Sequence, residues 1–167
     1  ASRVPESKDA RAAYRLSPAE RARGTALVKL AAQILFSFPG SPTVYYGDEL
    51  GLEGFEDPLN RGTYPWGLDR YPLLSWFQML GRLRRERAAL QRGEIVYLYT
   101  SGPILAFARR QPEERIVTVV NASDKSVPLI LPWTAPVVWD LLTGRKLHPR
   151  DSTLFLALPP YGGLLLI

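Results

Sequence analysis

Five carboxylates fall within ten consecutive positions, Asp48, Glu49, Glu53, Glu56 and Asp57. They sit in the stretch YYGDELGLEGFEDPLNRGTYPW, which runs from Tyr45 to Trp66 and also carries Tyr46 and Arg61. Three chemistries use such a set: metal ligation, acid–base or nucleophilic catalysis, and sugar binding. A helix-loop-helix calcium site takes oxygen ligands at alternating positions with a glycine at the turn, and these carboxylates do not have that spacing. Glycoside hydrolysis needs two carboxyl groups held at a set separation across one bond. Neighbouring carboxylates on one loop usually point apart, so proximity in sequence does not supply that pair. For Asp48 and Glu49 the residues favour a structural role, because a carboxylate after a strand accepts amide hydrogens from the turn. The lone His148, in the polar stretch HPR, lacks the converging partners that zinc requires, and the absence of cysteine excludes disulfides and thiolate metal sites.

The elements that must position this loop can be read on both sides of it. Residues 1–15 are polar and aperiodic and read as a loop or arm. SPAE follows, with Ser17 as N-cap, Pro18 at the first helical position and Glu20 completing a capping box. Leu27, Leu30, Ala31, Ile34, Leu35 and Phe38 recur at spacings of three and four, which predicts a helix over Ser17 to Phe38 with that stripe toward the core. Thr43, Val44, Tyr45 and Tyr46 are β-prone without polar alternation and predict a short strand buried on both faces. A second helix is expected over Pro72 to Gln91, with Leu73, Trp76, Phe77, Leu80, Leu83 and Leu90 on one face and arginines on the other. A helix, a strand and a helix make the unit of an α/β fold, in which ligand-binding loops gather at the strand's C-terminal end. From Glu94 the period changes to two. EIVYLYT, PILAFARR, RIVTVVNA, SVPLILP, PVVWDLL, STLFLALP and GGLLLI read as seven short strands of an antiparallel sandwich or barrel. The expected domains are therefore 1–93, α/β, and 94–167, all-β.

The 167 residues carry a formal charge of +5 and a sequence pI of about 9.7, mostly from arginine. The densest run, RLRRER at 82–87, is interrupted at helical spacing and reads as the wet face of a helix, with no nucleic-acid motif beside it. No apolar run is long enough to span a bilayer and no signal-peptide pattern opens the chain, which favours the cytoplasm over secretion. The sequon NAS at Asn121 has no secretory context to give it meaning.

PGSPTVYYGDELGLEGFEDPLNRGTYPW resembles the end of the catalytic domain of the alpha-amylase family, glycoside hydrolase family 13, and most of all neopullulanases, cyclomaltodextrinases and maltogenic amylases. The run ILAFARR, RIVTVVN, VWDLLTG and LALPPYGGLLLI resembles the sandwich called domain C that closes such chains. The resemblance covers the chain from about residue 17 to its end. It implies the last strand and flanking helices of a (β/α)8 TIM-type barrel over 1–93, then an antiparallel β-sandwich over 94–167. Carried over on DPLNR, it implies that Asp57 and Arg61 hold glucose hydroxyls. Tyr46 and Trp66 are candidate aromatic faces for a pyranose, with packing between loop and barrel as the equal alternative. The family's catalytic Asp and Glu, and its His-Asp motif, have no counterpart here, so the chain is expected to act only with an N-terminal part of the same enzyme. The implied activity is retaining cleavage of α-1,4, with α-1,6 left open, in maltodextrins, cyclodextrins or pullulan. The implied partner is an α-glucan, without nucleic acid or membrane. No organic cofactor is implied, and calcium is left open for the part outside this chain. Two other readings stand beside it: a transglycosylating or isomerising relative such as a trehalose-forming enzyme or an α-glucosidase, and a non-catalytic carbohydrate-binding module using Trp133, Trp139 and Tyr161.

Overall fold

The computed structural model describes residues 5–67 and 72–167. Among the described residues four α-helices come first: α1 (Lys8–Ala13), α2 (Pro18–Ser37), α3 (Pro72–Glu86) and α4 (Ala88–Arg92). Eight strands follow: β1 (Glu94–Ser101), β2 (Ile104–Gln111), β3 (Glu114–Asn121), β4 (Val127–Pro132), β5 (Val138–Asp140), β6 (Arg145–Leu147), β7 (Thr153–Leu158) and β8 (Gly163–Leu166). Six of them form one antiparallel sheet in the order β1-β2-β3-β8-β5-β6, and β4 pairs with β7 in a second.

The alternation within the strands sets the layers. Ile104, Ala106 and Ala108 of β2, with Val117 and Val119 of β3, face the two-stranded sheet and pack on Leu129, Leu131, Leu154, Leu156 and Trp133. The opposite face of the sheet is also buried, because the helices lie on it: Ile116 of β3 and Leu165 of β8 meet Leu83, Ala89 and Leu90. Burial on both faces explains why these strands read as nearly continuous apolar runs. Arg145–Leu147, with the sequence RKL, carries no such pattern, and β6 is a strand only through its pairing with β5. The turn that joins them is organised by Asp140, which is buried and accepts from the amides of Leu142 (3.2 Å) and Leu165 (3.1 Å).

α2 has the capping box read from SPAE: the Ser17 hydroxyl accepts from Glu20 N, and a Glu20 carboxylate oxygen accepts from Ser17 N at 2.9 Å. Its buried face shares only Leu30 with the expected stripe. Leu30, Ala32, Gln33 and Ser37 are buried, while Leu27, Leu35 and Phe38 stay more than a third exposed. α2 is apolar on two sides, and the side with two polar residues is the one the sheet takes. Gln33 Nε2 reaches between β3 and β8, donating to Leu164 O at 2.8 Å and Val119 O at 3.4 Å. α3 closes over Ala32 with Leu73, Phe77 and Leu80. Trp76 Nε1 donates to Lys29 O at 3.0 Å.

The helix expected over Pro72 to Gln91 is broken at Arg87 into α3 and α4. Glu114 of β3 makes the break tolerable by accepting from Ala89 N at 2.7 Å, an amide that starts the new helix. Gly93 then ends α4 where a Cβ would lie 2.5 Å from Ala89 O and 2.8 Å from Arg110 O, so no other residue fits. α1 is a turn-and-a-half helix capped by Ser7, within the part read from sequence as a loop or arm.

The strand expected at Thr43 to Tyr46 is not formed. Residues 41–45 have no ladder partner among the described residues, and Val44, Tyr45 and Tyr46 are exposed rather than buried on both faces. A parallel strand needs neighbours to pair with on both sides, and every strand among the described residues is engaged in the antiparallel sheets. The sequence also reads as loop from Gly47 as far as Asp69, and Leu68 and Asp69 lie outside the described residues. Asn121, of the NAS sequon, is fully buried. Its side-chain amide donates to Lys125 O (2.8 Å), Pro159 O (2.9 Å) and Leu158 O (3.3 Å), and its oxygen accepts from Ser123 N (3.0 Å).

Candidate functional site

The loop starts at Gly47, whose φ of +94° and a Leu52 side chain 2.4 Å from where a Cβ would stand admit only glycine. A 3-10 turn, Asp48–Leu50, follows. Glu49 accepts from Gly47 N at 2.9 Å, the structural use of a carboxylate expected here. Asp48 has its carboxyl pKa raised, by burial first and then by the neighbouring Glu49. Glu53 accepts from Leu16 N at 2.9 Å and pairs with Arg21, which ties the loop to the start of α2. Glu56 pairs with Arg11 of α1, and its pKa is lowered, by its own backbone amide first and by Arg11 second. Glu49, Glu53 and Glu56 are thus engaged in holding the loop or its turn.

Asp57 and Arg61 differ. Arg61 Nη2 donates to Asp57 Oδ2 at 2.6 Å, four residues apart, with the side chains 58% and 63% exposed. Arg61 N also donates to Pro58 O at 3.0 Å, and Leu59 N to Glu56 O at 2.8 Å, so a tight turn of backbone presents both charged groups on one side. The Tyr45 and Tyr46 rings lie 4.9 Å apart, tilted by 38°. Tyr45 is within electrostatic reach of the pair: its phenol pKa is raised by desolvation and then by Tyr46, with Arg61 acting to lower it and Asp57 to raise it. Asp57 and Arg61 are thus joined by their ion pair and Tyr46 by its ring to Tyr45, the tyrosine that the charges of the pair reach. The β-prone neighbours of Tyr45 mark it in the sequence only as part of a strand. Trp66 is 85% exposed and its ring lies 4.7 Å from that of Tyr64. Among the described residues it has no hydrogen bond or ring contact to the other three.

A cleft of about 700 Å³ opens between this loop and the N-terminal arm, lined by Arg11, Tyr14, Arg21, Glu53, Phe55 and Leu59 among others. The Tyr14 and Phe55 rings meet edge to face at 5.8 Å across it. The sequence gives no sign of the arm's part in this wall, because a polar aperiodic stretch carries no signal of what it will touch. An exposed carboxylate paired with a guanidinium beside aromatic rings can accept from and donate to vicinal hydroxyls at once. Of the aromatics considered as platforms in the sheet domain, Trp133 is excluded: it is 5% exposed, inside the core, with Arg115 stacked 4.9 Å from its ring centre. Trp139 is half exposed, with the Lys146 ammonium 4.6 Å from its ring centre.

Residues 97–165 match the family described as Maltogenic Amylase, C-terminal domain. The chain is 33% identical over 144 residues to a cyclomaltodextrinase from Geobacillus thermopakistaniensis, covering 83% of this chain and 24% of that protein. It is 31% identical over 145 residues to neopullulanase 2 from Thermoactinomyces vulgaris, covering 83% and 25%. Among solved structures, an Anoxybacillus alpha-amylase superposes with a TM-score of 0.78 at 29% identity, over 83% of this chain and 31% of that one. The chain spans about a quarter of the length of these two curated relatives.

Proposed function

We propose, from the premise that this chain belongs to the alpha-amylase family through its C-terminal domain, that it is the C-terminal portion of a hydrolase acting on α-glucans. In this reading residues 1–93 are the last strand and flanking helices of a (β/α)8 barrel, and residues 94–167 are the sandwich that follows it. The chemistry resides in an N-terminal part bearing the catalytic Asp and Glu. It cleaves α-1,4 bonds in maltodextrins, cyclodextrins or pullulan with retention through a covalent glycosyl-enzyme intermediate.

The observation that carries the reading is the exposed Asp57–Arg61 pair at 2.6 Å, on the loop that follows Tyr45 and Tyr46. Asp57 accepts from two hydroxyls of a glucose unit, and Arg61 donates its remaining N–H groups to the same sugar while holding the carboxylate ionised and oriented. Tyr46 offers a ring to the apolar face of the pyranose, and Trp66, on the far end of the loop, does so for a longer chain. The exposed apolar side of α2 (Leu27, Leu35, Phe38) and the unpaired 41–45 segment support the barrel part of the reading, since a neighbouring strand and helix would cover both. Against a carbohydrate-binding module stands the burial of Trp133.

The test is Arg61→Ala in the longer polypeptide that contains this chain. Loss of a charge-assisted contact of about 1.5–3 kcal/mol lowers kcat/KM for a linear maltodextrin roughly 10- to 100-fold. Unchanged kcat/KM in a folded variant removes the assignment.

A further inference from the structure

Two guanidiniums meet at the C-terminal end of α2. Arg109, on the helix-facing side of β2, is 1% exposed. Its Nη1 donates to Ser37 O at 2.8 Å, while Nε and Nη2 both donate to Gly93 O, at 3.0 and 2.8 Å. Arg84, on α3, donates through Nη1 to Phe36 O (3.0 Å) and Phe38 O (2.7 Å), and through Nη2 to Gly40 O. Among the described residues neither has a carboxylate partner. Both pKa values are lowered by desolvation, that of Arg109 further by Arg84, so the two cations lie close enough to repel.

A buried cation is costly unless its donors are satisfied. Here the compensation comes from the carbonyl end of a 20-residue helix, which concentrates partial negative charge and has no basic residue of its own in its last turn. A planar fork of five donors suits several carbonyls at once in a way that a single ammonium does not. The clamp sits at the root of the segment that leads to the loop. Residues 41–45 have no regular secondary structure and no ladder partner among the described residues, so no strand pairing sets their direction. The course of the segment is set where it leaves α2 and where it enters the Gly47–Leu52 turn.

We infer that Arg84 and Arg109 are positioning residues: they clamp the carbonyls from Phe36 to Gly40 and thereby aim the segment that presents Tyr45 and Tyr46 to the Asp57–Arg61 pair. The clamp also makes the antiparallel sheet domain, through β2, a direct support of the loop. The role in sugar binding rests on the reading of Asp57 and Arg61 given above.

Hydrogen exchange on the longer polypeptide that contains this chain tests the clamp without any sugar. The reporter amides are those of Gly47, Asp48, Leu50, Gly51 and Leu52, all hydrogen-bonded in the turn. Arg109→Met is expected to speed their exchange at least tenfold, with the sheet amides of Val117, Val119 and Leu165 changed less than threefold. Arg109→Lys, which keeps the charge and loses the fork, falls between. Arg84→Met gives the same local pattern and serves where Arg109→Met does not fold. No change at the turn, or a uniform rise across turn and sheet, overturns the inference. In the longer polypeptide, Arg84→Met is expected to raise KM for a linear maltodextrin about fivefold with kcat within twofold, alongside Arg61→Ala. If Arg61→Ala raises KM and Arg84→Met does not, the positioning role is wrong. If Arg61→Ala has no effect, the sugar reading fails, and the clamp stands or falls on the exchange pattern.

Discussion

Gly163 opens β8 directly beneath the Gln33 side chain. A Cβ built there would lie 2.0 Å from Gln33 Oε1, 2.9 Å from Cδ and 3.2 Å from Nε2. Gln33 is fully buried, so it cannot swing into solvent. A Gly163→Ala protein has two courses. It can keep the amide in place and strain the sheet and helix apart, at about the 1–3 kcal/mol typical of overpacking. Or it can turn the amide away, losing the 2.8 Å bond to Leu164 O and leaving buried polar groups unpartnered, at about 1–3 kcal/mol. Either way the loss is about 2 kcal/mol, which lowers the Tm of a chain this size by roughly 4–8 °C. Gln33→Ala alone costs a comparable amount through the lost bonds and the cavity. The decisive quantity is the double variant. Once the amide is gone, the alanine methyl at 163 fills part of the space, and the second substitution should cost almost nothing more. Urea unfolding followed by circular dichroism on the four proteins closes the cycle, with an expected coupling of about 1–3 kcal/mol. Additive effects would show that the glycine is needed for some reason other than the space under Gln33.

Trp133→Ala should destabilise by about 3–5 kcal/mol, since it empties a core site, whereas Trp139→Ala should change stability by under about 1 kcal/mol; thermal unfolding separates the two. Ser17→Ala removes the cap of α2 and should cost about 1 kcal/mol, measured the same way. Asp48 titrates above the ordinary value of 3.8 in the folded protein, so the folded state holds its proton more tightly than the unfolded one. The stability this supplies is fully present below the unfolded value and is lost as the pH rises through the folded pKa. Asp48→Asn should accordingly raise the Tm more at pH 7 than at pH 3; an equal shift at both would refute the cause.

Much of this architecture is visible in the residues because local chemistry is enough to specify it. SPAE caps a helix wherever it occurs before an apolar run, and period-two stretches separated by Pro, Gly, Asn and Asp turns form strands in any sheet. The hidden features depend on long-range partners. Arg145–Leu147 becomes a strand only because β5 is beside it. The break at Arg87 depends on Glu114, 27 positions later in the chain. Periodicity points the apolar stripe of α2 at the core, yet Gln33 and Ser37 take that place because backbone carbonyls of β3, β8 and the helix itself need donors there. Thr43 to Tyr46 has strand-forming residues without neighbours to pair with. In the loop, residue types indicate what chemistry is at hand, and DPLNR alone places Asp57 and Arg61 four apart. The arm residues Arg11 and Tyr14, and Arg21 of α2, reach the loop through ion pairs and ring contacts that no local pattern encodes.

The buried Asn121 puts chain modification and folding in competition. The nitrogen that an oligosaccharyltransferase would glycosylate in the NAS tripeptide is the one that donates to the carbonyls of Lys125, Leu158 and Pro159. That enzyme works on a nascent, extended chain, before β7 exists to close over the site. A glycan added then could never be accommodated, because the three carbonyls would lose their donor and the sugar would have to occupy the space between the end of β3 and the β7–β8 connection. In a eukaryotic secretory host the yield of folded protein would thus be set by a race between the transferase and the closing of β7 over the end of β3. Molecules that lost the race would be retained as misfolded, whereas a host without the transferase would have no such race to lose.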